Sequence, residues 1–325
     1  MVEGSPLSPM ELGESEEGRP IVVWRLGHGP IKVSLLGGCH SDEPLGPHVL
    51  RVWLSRCLGG EIGATEWLDR FTFFICPHIN PDGESRNLSW IEEYPNLQAY
   101  RQGAFREKPG RDVEFGFPKM RTENVIWAEA MKAHGPFDLH MSLHGMAYSE
   151  GFLLLIERHA HERCRKLMEG FRSLANDFGF GLHDHDRGGD KGFQYYGPGF
   201  TSTPEGEAMR RHFQEKDDIE TASAFHLSSM EWIRSLGGNP ICLVSELPLF
   251  AIQKGANEPK IGVPYQHMSF RESLQQGKDV KQLEQEFCLE PLGVKRGSLA
   301  MLSIIDMALD QVFVEKELST QSEPD

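Results

Sequence analysis

Four short, largely apolar runs constrain this chain more than any other feature: Ile31 to Leu36, Phe71 to Cys76, Phe152 to Ile156 and Ile241 to Val244. Most of them run on without the strict alternation of a strand that has one wet face, so they read as strands of a sheet covered on both sides. Between them lie stretches with helical apolar spacing. Pro44 opens one that runs through Leu58 and stops at Gly59 and Gly60, as a helix with proline in its first turn does. Others are Asn124 to His134 before Gly135, Ala160 to Phe178, and Leu299 to Phe313. A further apolar run, Phe137 to Leu143, leads into Phe152 to Ile156. Alternating strand and helix signals predict an α/β fold. No low-complexity linker and no internal repeat divides it, so the reading is one catalytic-sized domain over 20–313, with a flexible acidic tail at 1–19 and a polar tail at 314–325. Glu84 to Lys119 and Gly181 to Ala224 are too long for ordinary connections and read as functional loops over the sheet.

Charge excludes one large class of function. Lys and Arg number 33 against 48 Asp and Glu, a formal net charge of −15. Phosphate backbones are bound by clustered cations, and the densest basic stretch, Arg158 to Lys166, is interleaved with Glu and His, so no nucleic-acid partner is expected. Runs such as Phe152 to Ile156 are a quarter of the ~20 apolar residues a bilayer span needs, so no membrane partner is expected either. Met1 to Pro20 holds five glutamates and no apolar segment behind a basic one, which predicts no secretory signal and a cytoplasmic location. The six cysteines are widely spaced without a Cys-x-x-Cys pair and read as free, mostly buried thiols.

The spacing His-x-x-Glu occurs three times, at His40/Glu43, His159/Glu162 and His212/Glu215. The second lies in a helical stretch and the third in a charged run, where solvated faces explain both. His40 and Glu43 follow a buried strand directly through Gly37 and Gly38, and strand ends are where open α/β sheets build their sites. Imidazole and carboxylate three residues apart can reach one Zn²⁺, and a catalytic zinc takes three protein ligands and keeps a position open. The third ligand is His140 or His144 in Phe-Asp-Leu-His-Met-Ser-Leu-His-Gly; His144 is favoured because Gly145 can aim it into a cleft, whereas His140 falls mid-strand. The run His183-Asp184-His185-Asp186 is a rival metal cluster, more simply read as a solvated loop.

The order Gly37-Gly38-Cys39-His40-Ser41-Asp42-Glu43, Asn80-Pro81-Asp82-Gly83, Ser142-Leu143-His144-Gly145 and Val244-Ser245-Glu246-Leu247 resembles the motif set of the M14 zinc carboxypeptidases over roughly residues 20–255. The resemblance implies a three-layer α/β/α fold around a mixed, mostly eight-stranded sheet. It implies one Zn²⁺ per chain held by His40, Glu43 and His144, with Glu246 as general base in the hydrolysis of a peptide or amide bond. Asp82, in what reads alone as a turn, is expected to orient a zinc histidine, His40. Arg106 is the candidate oxyanion clamp, with Arg86 and Arg101 as alternatives.

One departure stands out. Where the family places Asn-Arg to grip a substrate carboxylate, this chain has Glu114-Phe115. A glutamate there would repel a carboxylate and favour a cation or a hydrogen-bond donor, so the substrate is expected to lack that contact. On this reading Glu114→Asn with Phe115→Arg should raise activity on N-acylated amino acids. Ser229-Met230-Glu231-Trp232 resembles the family's pocket stretch and puts Met230 near an apolar pocket floor. The tyrosine that closes over substrate has no assigned counterpart, though Tyr195 and Tyr196 are near enough in type. Two other readings are a small-molecule deacylase of the succinylglutamate desuccinylase and aspartoacylase kind, and a catalytically inactive ligand-binding relative.

Overall fold

Each of the four apolar runs forms the interior of a strand. The computed structural model describes residues 7–61, 65, 67–253 and 261–321. Its strands are β1 (Leu7–Glu14), β2 (Pro20–Gly27), β3 (Ile31–Gly37), β4 (Phe71–Cys76), β5 (Leu139–Ser149), β6 (Gly151–Ile156), β7 (Gly181–Leu182), β8 (Tyr195–Gly197), β9 (Phe200–Thr201), β10 (Ile241–Ile252) and β11 (Leu289–Pro291). The α-helices are α1 (Leu45–Leu58), α2 (Pro81–Glu92), α3 (Leu97–Gly103), α4 (Thr122–His134), α5 (Arg165–Asp177), α6 (Gly206–Gln214), α7 (Ile219–Ala224), α8 (Ser229–Ser235), α9 (Tyr265–Gln275), α10 (Val280–Phe287) and α11 (Val294–Gln321).

The strands form one mixed sheet in the order β1-β2-β4-β3-β5-β10-β6-β9-β8, with β11 on β10 and β7 on β6. Against the mostly eight strands expected, the described residues form eleven, seven longer ones and four, β7, β8, β9 and β11, of two or three residues each at the margins. Helices cover both faces. On one, Leu50 and Trp53 of α1, Phe171 of α5 and Ile304 and Leu309 of α11 pack on Val33, Phe73, Met141 and Leu243. On the other, Trp127 and Met131 of α4 and Ile233 of α8 pack on Val23, Leu36 and Phe74. Burial of each such side chain contributes about 1.5–3 kcal/mol.

The centre of the sheet is parallel, β3 beside β5 and β5 beside β10, in a register that pairs Gly37 with Leu143 and His144 with Glu246. β3 stops at Gly37 while β5 and β10 continue to Ser149 and Ile252. His144 and Glu246 therefore lie just past the point where β5 loses its neighbour, and the chain leaving β3 folds over them. Gly38 makes this exit possible: it has φ +77°, and a Cβ there would stand 2.3 Å from the His78 ring.

Several boundaries differ from the sequence reading. Residues 7–14 of the expected acidic tail form β1, which pairs antiparallel with β2. At the other end α11 continues to Gln321, so most of the expected polar tail is helical. Residues 1–6 and 322–325 of those tails lie outside the described residues. Asn80-Pro81-Asp82-Gly83 is a helix start rather than a turn: Asn80 Oδ1 accepts from Gly83 N at 3.0 Å, and Pro81 begins α2. Turns and helix N-termini favour the same residues, so the sequence alone does not separate them. The two long loops likewise contain α2, α3, α6 and α7. Ala160 to Phe178 divides into a 3₁₀ turn, Arg158–Cys164, and α5. By length and composition Val294–Leu318 could cross a membrane, yet its Ala300, Met301, Ile304, Ile305, Ala308 and Leu309 pack in the main core.

Candidate active site and metal centre

Three donors meet at the exit of β3. His40 Nδ1 lies 3.0 Å from Glu43 Oε1, and His144 Nδ1 lies 2.8 Å from Glu43 Oε2 and 3.0 Å from His40 Nδ1. Glu43 is buried, held by the helix start at Pro44, and its Oε2 also accepts from Gly145 N at 3.1 Å. His40 is partly open to solvent.

The far side of His144 explains its orientation. Nε2 is 3.0 Å from Glu114 Oε2 and 2.8 Å from Ser142 Oγ. A carboxylate only accepts, so Nε2 donates to Glu114, and Nδ1 is the nitrogen left for a metal. Burial opposes charge on His144, but Glu43 and the bonds from its neighbours raise it well above an ordinary imidazole. Burial likewise opposes ionisation of Glu43, and His40, Arg106 and His144 overcome it and hold that carboxyl well below its usual range. Two imidazole nitrogens and a carboxylate, all within 4.8 Å of one another and open on one side, fit the mixed N/O donor set of a catalytic zinc. Cys39, Glu114 and His144 form a second convergent set, but all three are buried and Glu114 is already bonded, which leaves no open position. Burial also pushes the Cys39 thiol up, away from the thiolate a metal requires.

Glu246 faces the same space from β10. Its Oε2 is buried without a hydrogen-bond partner among the described residues. Burial and the nearby Glu43 push it up to about 8, against the pull of His144, Arg106 and Arg187. Arg106 donates to Glu43 Oε1 at 2.7 Å and stands 3.5 Å from Asp42 Oδ2. Its two alternatives are elsewhere: Arg86 pairs with Glu17, and Arg101 donates to Lys278 O at 3.3 Å.

These groups line a cleft of about 380 Å³. Its wall is apolar, with Met230, Leu153, Leu155, Phe193 and Val244 packed together. Phe115 is buried in the same wall, edge-on to Phe225 at 5.6 Å.

Two sequence expectations are corrected here. Asp82 is not beside His40: its oxygens accept from Ser15 Oγ at 2.6 Å, Glu17 N at 3.0 Å and Arg19 Nη1 at 2.8 Å, tying the β1–β2 turn to α2. The carboxylate next to His40 is Asp112, whose Oδ1 is 4.0 Å from Nε2. Glu114, expected to meet substrate, has both oxygens engaged, Oε1 by Ser229 N at 2.9 Å and Ser229 Oγ at 2.6 Å, Oε2 by Ser142 and His144. These bonds overcome burial and hold its pKa down at about 2. The ground for expecting a cationic substrate is thereby removed.

His140 is a core residue, 3.1 Å from both Ser34 Oγ and Ser229 Oγ. Among the described residues, no three donors of His183 to Asp186 converge: Asp184 accepts from Tyr195 OH and Asp186 from Gly188 N. Tyr196 stacks on His161, and neither tyrosine lines the cleft. Sequence reasoning missed Arg187 and Lys191, which do line it. Their only signal was their place in a long Gly-rich loop.

Comparison with known proteins gives the class first. The zinc carboxypeptidase family model matches residues 5–125. The fold agrees: a metallo-carboxypeptidase from Burkholderia cenocepacia superposes with a TM-score of 0.54 at 16% identity, over 97% of this chain and 66% of that one. Carboxypeptidase A from Helicoverpa armigera gives 0.52 at 11% identity, over 95% and 69%. Among individual relatives, Carboxypeptidase E of Caenorhabditis elegans is 34% identical over 152 residues, 41% of this chain and 29% of that protein. The chain thus spans under a third of the length of that relative. It is zinc carboxypeptidase-like in fold throughout, and in sequence over its N-terminal part.

Proposed function

We propose that this chain hydrolyses a peptide or amide bond at a zinc ion held by His40, Glu43 and His144. The observation that carries the reading is the convergence of those three donors in a cleft shared with Arg106 and with Glu246, whose Oε2 has no partner. Zinc, when bound there, supplies Lewis acidity and a positive charge that lowers the pKa of neighbouring acids.

The chain's own residues supply the rest. Glu246 Oε2 is the unpartnered atom on which a proton can be taken from water and from which it can be returned to the leaving amine; its burial keeps it a useful base near neutral pH. Arg106, fixed by Glu43 and Asp42, directs its guanidinium charge to an oxygen that becomes negative in the transition state. Glu114 holds the His144 ring from behind, and Asp112 stands 4.0 Å behind His40 Nε2. The wall of Met230, Leu153 and Phe193 excludes water and receives an apolar group of the substrate.

The test begins with metal content. Purified wild type should hold about one zinc per chain, and His40→Ala and His144→Ala should each lose it. Glu246→Gln should keep the metal and hydrolyse N-acylated amino acids or short peptides about 10²–10⁴-fold more slowly. Zinc retained in both histidine variants, or a Glu246→Gln enzyme as fast as wild type, would overturn the proposal.

A further inference from the structure

The charges in the cleft are unevenly matched. Each acidic side chain that lines it, apart from the base Glu246, has a partner. Glu107 accepts from Asn80 Nδ2 at 2.5 Å and Ser41 Oγ at 3.0 Å, Asp112 accepts from Phe115 N at 3.3 Å, and Glu114 is bonded as described. Of the three cations, Arg106 is neutralised by Glu43 and Asp42. Among the described residues, no carboxylate comes within ion-pair distance of Arg187 or Lys191. Both are half-buried, and that burial lowers their pKa against the opposing pull of Asp190 on each and of Glu246 on Arg187.

The loop that carries them is built to hold them in place. Gly188, Gly189, Lys191 and Gly192 all have positive φ, a backbone path that costs a lysine energy and persists only where the surroundings enforce it. The surroundings do so. Asp186 N donates to Gly262 O at 2.8 Å, Asp184 accepts from Tyr195 OH at 2.7 Å and Gly262 N at 2.9 Å, and His212 pairs with Asp190 at 2.8 Å. Arg187 sits over Phe193, its guanidinium carbon 3.9 Å from the ring centroid, and among the described residues no hydrogen bond takes up its N–H groups. Phe193 belongs to the apolar wall with Met230 and Leu153.

We propose that Arg187, with Lys191 beside it, is the anion anchor of the cleft, and that the substrate presents a carboxylate to it with an apolar group laid on the Phe193 and Met230 wall. This rests on the hydrolase reading for the reaction, while the anchor is a property of binding. It takes over, from a different loop, the charge that Phe115 cannot supply. The substrate class is an N-acylated or peptidyl amino acid with an apolar side chain and a free carboxylate.

The probes are 3-phenylpropionate and its neutral amide, 3-phenylpropionamide, titrated calorimetrically into the zinc-loaded full chain and, since a carboxylate can also bind zinc, into the metal-stripped full chain. Loss of a charge-assisted bidentate contact should weaken the acid at least about tenfold in Arg187→Gln in both forms and leave the amide within about twofold. Arg187→Met, which keeps the stem that packs on Phe193, should behave like Arg187→Gln, and Arg187→Lys should recover part of the affinity. An acid that binds wild type no tighter than the amide, an acid unaffected by Arg187→Gln, or equal losses for acid and amide would overturn the anchor; equal losses would make Arg187 a support for Glu246 or the wall instead. Arg187-dependent binding without hydrolysis of any N-acylated amino acid keeps the anchor and ends the hydrolase reading. Hydrolysis with binding indifferent to Arg187 does the reverse.

Discussion

Both oxygens of Glu114 accept hydrogen bonds from inside the protein, so its contribution is to His144 and not to a ligand in the cleft. Removing a carboxylate that orients a metal-ligating histidine typically costs 10–100-fold in metal affinity. Glu114→Ala should therefore weaken zinc by about that factor, measured by competition with a chelator of known affinity; an unchanged Kd would show that Ser142 alone holds the ring. The same geometry reverses an expectation from sequence. The exchange of Glu114→Asn with Phe115→Arg takes the acceptor from His144 Nε2 and drives a guanidinium against the Phe225 ring. It should lower zinc occupancy and activity together. A variant more active than wild type with zinc fully bound would restore the earlier view of Glu114 as a residue that repels substrate.

At the scale of elements, the site depends on how closely α1 approaches β5 and how firmly α2 is tied to the β1–β2 turn. A Cβ on Gly46, in the first turn of α1, would stand 2.5 Å from Leu143 O, next to His144. Gly46→Ala should cost about 1–3 kcal/mol of stability by pushing α1 outward and should disturb His40 and Glu43, the proposed zinc ligands just before it. A denaturation midpoint equal to wild type would mean that the helix moves without loss. Asp82 ties α2 to the turn by three hydrogen bonds. Burial raises its pKa, but the bonds from Ser15, Arg19 and Glu17 prevail and hold it below the usual 3.8. Its contribution is thus complete above about pH 4 and is lost as pH falls through the lower, folded value. Asp82→Ala should cost about 1–3 kcal/mol at pH 7 by stranding these donors, with the gap to wild type narrowing below pH 4. Zinc binding at His40 should be unaffected, which separates this tie from a role in holding a ligand.

The whole molecule should be sensitive to mild acid. Burial holds His78 and His140 near about 4, below the 6.5 of an ordinary imidazole. Between those values the unfolded chain binds protons that the folded chain refuses. The stability these residues contribute is complete above about pH 6.5 and drains away as pH falls toward 4. Urea midpoints should fall over that window, and the fall should be shallower in His78→Asn, whose side chain does not titrate. Equal slopes would show that His78 has little part in it. The net charge of −15 does not predict the cleft, where, among the described residues, Arg187 and Lys191 are cations without a bonded carboxylate.

Much of the architecture was fixed by residues that act on their neighbours. Buried runs such as Phe71 to Cys76 can only be strands in a covered sheet, and Pro44 with Gly59 bounds α1 almost to the residue. His40 and Glu43 are three apart on one exit loop, so short-range geometry alone brings them together. Distance along the chain set the limit. His144 joins them through sheet register, and the partners of Asp82 and Glu114 lie 67 and 115 residues away, chosen by which elements pack together. A carboxylate in a sequence shows only that a negative charge is present. Whether it faces a metal, a serine or a substrate depends on which groups take it out of water, and only the tertiary structure decides that.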